Sequence, residues 1–250
     1  MRTSQQSWIL TSATLSVGGS FGHAVSELGL EGIETAHFPS PFDFASQVSA
    51  WIPPLVAAPG TTAHTAELVE RCLPLLTVCT GRTFMLFTTY RALRQAASML
   101  AEYPGLSCLV QGTASRARLL EQFRQIDGAV LLATQSFWEG VDVRGGELRL
   151  LIVDKLPFPS PEQPLTRART RAIEAAGGNG FSERYLPEAI TRLRQGFGRL
   201  IREENDAGLF VFGDTRVRTR RYGRVVLESL PAIRWLDDAD GARAYLESLA

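Results

Sequence analysis

The sequence predicts an α/β protein built on a parallel sheet with helices on both faces. Short apolar runs, such as TFMLFT at 83–88 and AVLLAT at 129–134, indicate strands that are buried on both sides. These runs alternate with longer segments in which apolar residues recur at helical spacing. The composition, 45% hydrophobic and 21% charged over 250 residues, fits a globular protein and excludes a largely disordered chain.

The regular pattern begins at residue 61, after a proline-rich stretch at 38–60 that predicts loop or extended chain. The predicted helices cover 61–76, 91–103, 115–126, 166–176, 184–204 and about 216–229. The predicted strands cover 83–88, 107–111, 129–134, 149–154 and 208–214. Ligands of open parallel sheets bind where the strands end, so we expect the functional loops at the carboxyl ends of these strands.

Cysteine content and hydropathy exclude several classes of protein. Three cysteines without a C-x-x-C pair give no case for a zinc or iron–sulfur site, so no metal ligand is predicted. The longest apolar runs are too short to cross a membrane, and residues 1–10 do not form a secretory signal. We therefore expect a cytoplasmic protein without a membrane partner. No G-x-G-x-x-G follows a predicted strand, which disfavours a dinucleotide enzyme.

The net charge is balanced over the whole chain, but basic residues are concentrated in one block. The formal charge is zero, yet residues 167–224 contain 13 Arg against 7 acidic residues. Such a block indicates a local site for an anion, such as phosphate or nucleic acid, although a solvated helix surface is an equal alternative.

The predicted helix at 186–202 concentrates part of this charge. At 100° per residue, one arc carries Gln195, Arg192, Arg199 and Arg202, and the opposite arc is apolar. We count no acid on the polar arc, so we expect an anion to face it; a basic, solvent-exposed face is the alternative. Gly196 and Gly198 lower the stability of a helix relative to alanine. Their presence therefore indicates that a ligand or another backbone approaches closely there.

Two predicted strand ends carry further candidates. Glu139 and Asp142 flank Gly140 after the strand at 129–134, where acids can orient a ribose hydroxyl, a water molecule or an arginine. A turn with helix-capping acids explains them equally well. Thr88 and Thr89 follow the strand at 83–88, where hydroxyl and backbone N–H groups suit phosphate, although a threonine helix cap is the alternative.

The sequence lacks the parts that hold a nucleoside triphosphate. It contains no G-x-x-x-x-G-K-[ST] loop, and its single lysine, Lys155, lies between Asp154 and Leu156. A D-E-x-H sequence is also absent. We therefore expect this chain alone neither to bind the triphosphate with its metal nor to hydrolyse it.

Five segments occur in an order that resembles a known family. They are TSATL at 11–15, FTTYRAL at 87–93, QSFWEGVDVRG at 135–145, DKLPFPSPEQP at 154–164 and QGFGRLIR at 195–202. They are similar to motifs III to VI of superfamily 2 helicases, and most closely to the DinG branch of the XPD/Rad3-like group. The resemblance covers nearly the whole chain.

The resemblance implies a RecA-like fold and a division of the chain. Residues 1–37 would be a tail that contains motif III and ends the first motor lobe, with 8–10 as that lobe's last strand. Residues 38–250 would be the second RecA-like lobe. The parent would be an ATP-dependent 5′–3′ DNA helicase in repair or replication. The missing first lobe would hold most of the contacts to ATP and Mg²⁺ and, in many members, an iron–sulfur cluster that this chain does not contain.

The resemblance also implies roles for the candidates. Gln195, Arg199 and Arg202 would face ATP, one of the two arginines acting as an arginine finger. Glu139, Gly140 and Asp142 would lie beside the nucleotide. Phosphates of single-stranded DNA would contact Thr88, Thr89, Thr134 and Gln135. Hydrolysis would be coupled to DNA movement by Thr11, Ser12 and Thr14, next to the first lobe. The alternative is an Arg-rich α/β module that binds nucleic acid without hydrolysis.

Overall fold

The chain folds around a seven-stranded parallel sheet in the order β3-β4-β2-β5-β6-β1-β7. The computed structural model describes residues 7–12, 14–30, 32–134, 137 and 148–249. The strands are β1 Val48–Trp51, β2 Arg82–Phe87, β3 Cys108–Val110, β4 Val130–Thr134, β5 Leu148–Val153, β6 Gly208–Phe212 and β7 Arg234–Leu236. Strands β2 and β4 to β6 are almost wholly buried, as their apolar sequences predict.

Helices cover both faces of this sheet. They are α1 Gly22–Leu28, α2 Phe44–Gln47, α3 Thr62–Val78, α4 Tyr90–Leu100, α5 Arg116–Gln125, α6 Pro164–Ala175, α7 Leu186–Phe197, α8 Arg216–Thr219, α9 Gly223–Glu228 and α10 Ala239–Glu247. A π-helical turn, Phe181–Tyr185, leads directly into α7. One face packs against α5, α7, α8 and α9, and the other against α3, α4 and α10. No helix in the described ranges is long and apolar enough to cross a membrane.

The five predicted strands are confirmed as β2 to β6, but the sequence analysis listed neither β1, which lies in the stretch predicted as mostly loop or extended chain, nor β7. Val48–Trp51 is buried and pairs with both β6 and β7. Its four residues include Ser49, so the sequence shows no apolar run there. Strand β7 has only three residues at the sheet edge, which is too short for a periodic signal.

The predicted helix at 184–204 is wrong at both ends. Its first residues form the π-helical turn, and α7 ends at Phe197, before both Arg199 and Arg202. Gly196 and Gly198 weaken the helix at this point. Beyond it, the Asp206 carboxylate accepts hydrogen bonds from the backbone N–H groups of Arg202 and Glu203, which a longer helix would use itself.

The described part of the tail adds little to the core. Residues 8–10 do not form the expected strand, and α1 contains no buried residue. Side chains of the larger body hold this segment in place: Glu27 pairs with Arg184 and with Arg169, and Arg194 donates to the Ser16 carbonyl. The tail is therefore attached mainly through polar contacts, with Val17 also packed against the core.

Candidate functional site

The candidate residues lie at two opposite edges of the sheet. Arg199 and Arg202 lie between α7 and β6, at the edge where the strands begin, which we call the amino edge. Thr88, Thr89 and Thr134 lie where β2 and β4 end, at the carboxyl edge. The two arginines therefore do not lie at the carboxyl ends of the strands, where the functional loops were expected. They follow α7, a connecting helix that runs antiparallel to the strands. Such a helix ends at the amino edge, where the next strand begins.

The arginine turn, residues 198–203, has a fixed backbone. The N–H of Arg199 donates to the Gly196 carbonyl and that of Leu200 donates to the Phe197 carbonyl, each at 3.0 Å. Leu200 is buried against the sheet. Asp206 accepts from the N–H groups of Arg202 and Glu203, each at 2.8 Å. Both arginine side chains are half-buried and start from this ordered backbone.

Gln47 fixes the same loop from the side of the sheet. The two N–H bonds of its buried side-chain amide are shared among the carbonyls of Glu203, Glu204 and Asp206, at 3.1, 3.0 and 3.0 Å. Arg149 donates to the carbonyl of Ala207 at 2.9 Å. Sequence reasoning missed Gln47 and Asp206. Gln47 carries no local signal, since it lies more than 150 positions away from its partners.

The helix before the turn also departs from the prediction. Gln195 is exposed, as predicted for the polar arc. The expectation that no acid lies on this arc is wrong: Arg192 pairs with Glu188, one turn earlier on the same face, at 2.5 Å. Glu188 also lies 2.8 Å from Arg184. The close approach at Gly198 is to its own chain, because a Cβ there would lie 3.3 Å from the Arg194 carbonyl oxygen.

At the carboxyl edge, Asp154 organises the ends of β2 and β5. Its buried carboxylate accepts from the backbone N–H of Thr88 at 3.1 Å and from that of Lys155 at 2.7 Å. The Thr88 hydroxyl and the Lys155 ammonium group also bind this carboxylate and contact each other. Burial raises the pKa of Asp154, and the nearby Lys155 opposes that rise only in part. The Thr88 hydroxyl thus belongs to an internal polar network.

A second buried carboxylate, Asp214, joins the ends of β5 and β6. It accepts from the Leu156 N–H at 2.9 Å and from the Arg216 guanidinium through two bonds of 2.8 and 2.7 Å. Burial alone would raise its pKa, but the hydrogen bonds from Arg216 and Leu156 outweigh burial and hold the pKa of Asp214 below its ordinary value. The sequence analysis singled out neither partner of this ion pair.

The remaining hydroxyl candidates at the carboxyl edge have local partners. Thr89 is exposed and caps α4 by accepting from the Ala92 N–H at 3.2 Å, as the alternative interpretation predicted. Thr134 is buried; its N–H and hydroxyl donate to the side-chain oxygen of Gln111 at 2.6 and 2.9 Å. Gln111 also donates to the hydroxyl of Tyr90 at 2.7 Å. These bonds connect the ends of β3 and β4 to the start of α4.

Comparison with known proteins decides the family. A family model described as the helicase C-terminal domain matches residues 72–233. The chain belongs to the helicase C-terminal domain family. It is 42% identical over 231 residues to the ATP-dependent DNA helicase YoaA of Haemophilus influenzae, covering 92% of this chain and 36% of that protein. It is 39% identical over 254 residues to the ATP-dependent helicase DinG of Mycobacterium tuberculosis, covering 97% and 37%. The chain thus spans little more than a third of these relatives.

Solved structures support the same fold for this helicase C-terminal domain. The Xpd4 structure of S. tokodaii matches with a TM-score of 0.55 and 15% identity, over 76% of this chain and 39% of that chain. The S. cerevisiae Dbp5 structure bound to RNA and ADP BeF3 matches with a TM-score of 0.58 and 14% identity, over 92% and 53%. These likenesses confirm the RecA-like fold predicted from the motifs.

The matched part of the helicase C-terminal domain contains both edges, although Gln47 lies before it. Gln135, Glu139, Gly140 and Asp142 lie outside the described residues, so their predicted roles stay predictions. Thr11 and Ser12 are exposed and Thr14 is half-buried, and the Ser12 hydroxyl lies 3.2 Å from that of Thr14. Within the described ranges, no group of three or more His, Cys, Asp or Glu side chains could hold a metal.

Proposed function

We propose that this chain is the second motor lobe of an ATP-dependent DNA helicase that moves 5′ to 3′ on single-stranded DNA in repair or replication. In this proposal, Arg199 and Arg202 complete a site for ATP and Mg²⁺ that a first lobe holds. The observation that carries it is the fixed backbone of the arginine turn, bound by Asp206 and Gln47 at the amino edge. A group that stabilises developing charge acts best when it is positioned before the reaction, which this backbone provides.

The other nucleotide candidates extend the same site. Gln195 is exposed on the last turn of α7, one turn before Arg199, and would reach the nucleotide beside it. We propose that Glu139, Gly140 and Asp142 complete the contacts on the side of this lobe. Any iron–sulfur cluster would belong to the first-lobe part of the parent.

The carboxyl edge would contact single-stranded DNA. We assign phosphate contacts there to Thr88, Thr89, Thr134 and Gln135; at Thr88 and Thr134 the phosphate would replace the bonds that their hydroxyls donate to Asp154 and Gln111. The basic segment at 216–224, which follows β6 at this edge, supports the assignment. Its Arg218, Arg220 and Arg221 are exposed, and the sequence from 215 to 227 contains no acidic residue. Clustered guanidinium groups attract a polyanion and release its counterions on binding.

The tail would meet the first lobe. Trp8 and Ile9 are 63% and 88% exposed, and large apolar side chains so exposed favour burial against a partner. This supports a boundary near residue 37 and a coupling role for Thr11, Ser12 and Thr14, next to the same apolar segment. A reducing, cytoplasmic location is part of the proposal, since all three cysteines are free thiols.

The test replaces Arg199 or Arg202 by alanine in the intact protein that carries both lobes. ATP hydrolysis should fall by about 10³-fold or more, as expected for an arginine finger, while affinity for single-stranded DNA stays within about twofold. Arg171→Ala is the matched control, because Arg171 is an exposed arginine on α6. The 250-residue chain alone should hydrolyse no ATP.

Two results would overturn the proposal. Unchanged hydrolysis in both arginine variants would remove the nucleotide role of the arginine turn. Loss of DNA affinity together with a smaller salt dependence would favour the alternative, a non-hydrolysing Arg-rich module that binds nucleic acid.

A further inference from the structure

Tyr90 is an exposed aromatic residue at the carboxyl edge. It is the first residue of α4 and directly follows Thr89, and 50% of its surface is accessible. No aromatic ring in the described ranges stacks against it. Most aromatic side chains in the described ranges are instead buried in the two cores or packed against them. The uncovered ring therefore needs an explanation other than core packing.

The side chain of Tyr90 is fixed at its backbone and at its hydroxyl. Its backbone begins α4, and its hydroxyl accepts a hydrogen bond of 2.7 Å from the side-chain amide of Gln111. Gln111 is itself fixed, because its oxygen accepts from the N–H and the hydroxyl of Thr134 at 2.6 and 2.9 Å. A ring anchored in this way keeps its face open and loses little conformational freedom when a ligand stacks on it.

The charges around Tyr90 fit a nucleotide chain. Arg91 and Arg94 are exposed on α4, and Arg94 follows Tyr90 by one helical turn, so the two share a face. Helix α4 contains no acidic residue. A flat π surface flanked by cations suits a base whose neighbouring phosphates are negatively charged.

We propose that Tyr90 is a stacking platform for one nucleobase of the single strand, and that Gln111 positions its ring. This inference rests on the proposed function, which places single-stranded DNA at the carboxyl edge. Stacking on an aromatic ring is tolerant of sequence, because every base presents a π face. The platform therefore binds a base without selecting its identity, as a protein that moves along DNA requires.

The experiment places one 2-aminopurine at successive positions of an oligothymidylate and titrates it with the intact protein. Stacking on Tyr90 should quench the fluorescence at one position of the bound strand. Tyr90→Ala should remove this quenching and weaken binding about fivefold or more, the range found for single base–aromatic contacts. Tyr90→Phe keeps the ring but loses the hydroxyl that binds Gln111, so it should still quench at that position, with an affinity between those of the wild type and Tyr90→Ala.

Tyr103 provides the matched control. It is 42% exposed and lies just beyond the other end of α4, toward the amino edge, so Tyr103→Ala should leave affinity and quenching unchanged. Tyr90→Leu gives a second test variant, with an apolar side chain but no π face, and should behave like Tyr90→Ala.

The outcomes separate this inference from the function on which it rests. If the wild type binds the oligonucleotide and both Tyr90→Ala and Tyr90→Leu bind and quench equally well, the platform is wrong and the DNA role stands. If the wild type binds no single-stranded DNA, the proposed function fails, and the platform fails with it.

Discussion

The two edges of the sheet are stabilised in different ways. At the amino edge, side chains bind the main chain: Gln47 and Arg149 donate to loop carbonyls, and Asp206 accepts from backbone N–H groups. At the carboxyl edge, charged side chains bind one another as well as the backbone, around the buried Asp154 and Asp214. The amino edge fixes the path of a loop, whereas the carboxyl edge fixes a set of charges.

Under the proposed function, this difference would let one domain serve two ligands. A loop that is held through its backbone can direct side chains toward a nucleotide delivered by another lobe. A preformed charge network suits a polyanion that slides past, because its groups keep their positions as the ligand moves. If this account is correct, damage at each edge should have a distinct effect on stability and activity.

Loss of the Asp214 carboxylate should have the largest effect on stability. Asp214→Ala removes the partner of Arg216 and leaves the Leu156 N–H without its acceptor. Breaking a buried ion pair typically costs about 3–5 kcal/mol, and we expect about 3 because 30% of the Arg216 side chain is exposed. Urea unfolding followed by circular dichroism measures this cost; a change below about 1 kcal/mol would contradict the structural role of the pair.

The pH dependence of stability offers a control for this ion pair. The folded-state pKa of Asp214 lies below its unfolded value, so its contribution is complete above an unfolded pKa of about 3.9 and is lost as pH falls through the folded value. Asp154 has a raised pKa, so its contribution is complete at low pH and declines as pH rises through the folded value. Asp214→Asn should therefore lose less stability than the wild type on acidification below pH ~4.

Loss of the Gln47 amide should have a smaller effect on stability but a clear effect on activity. Gln47→Leu keeps the size of the side chain and leaves three loop carbonyls without their donor. We expect a loss of about 1–3 kcal/mol in the free energy of unfolding, together with reduced ATP hydrolysis in the intact protein.

Two measurements sharpen the Gln47 prediction. Affinity for single-stranded DNA should be retained, because Gln47 lies at the other edge of the sheet. Gln125→Leu, at an exposed glutamine that ends α5, is the control. Normal hydrolysis by a destabilised Gln47→Leu protein would show that the arginine turn does not need its fixed backbone.

The sequence predicts the central strands well because they are long and apolar. Strands β2 and β4 to β6 are buried on both faces, so their runs contain few polar residues. The sequence analysis did not predict strand β1, because its four residues form a strand by pairing with β6 and β7, which lie far away in the sequence. Local patterns contain no information on such pairing.

The candidate site could be predicted only in part. The helical pattern placed Arg199 and Arg202 on a helix that extends beyond Phe197. In the structure the helix ends at Phe197, and the Arg202 N–H donates to the Asp206 carboxylate instead of to a helical carbonyl. The motifs therefore identified the residues better than the helical geometry did. Glu188 was visible on the same face and was overlooked, whereas Gln47 could not have been found without the fold.

The most direct test of separate functions at the two edges measures both ATP hydrolysis and DNA binding in variants of each edge. It compares Arg199→Ala at the amino edge with the combined Arg218→Ala, Arg220→Ala and Arg221→Ala variant at the carboxyl edge, both in the intact protein. Arg199→Ala should lose ATP hydrolysis at saturating DNA and keep the wild-type salt dependence of DNA binding. The triple variant should keep hydrolysis at saturating DNA, while the slope of log affinity against log salt falls by up to about 2. Loss of both properties in both variants, or the reverse assignment, would contradict the account.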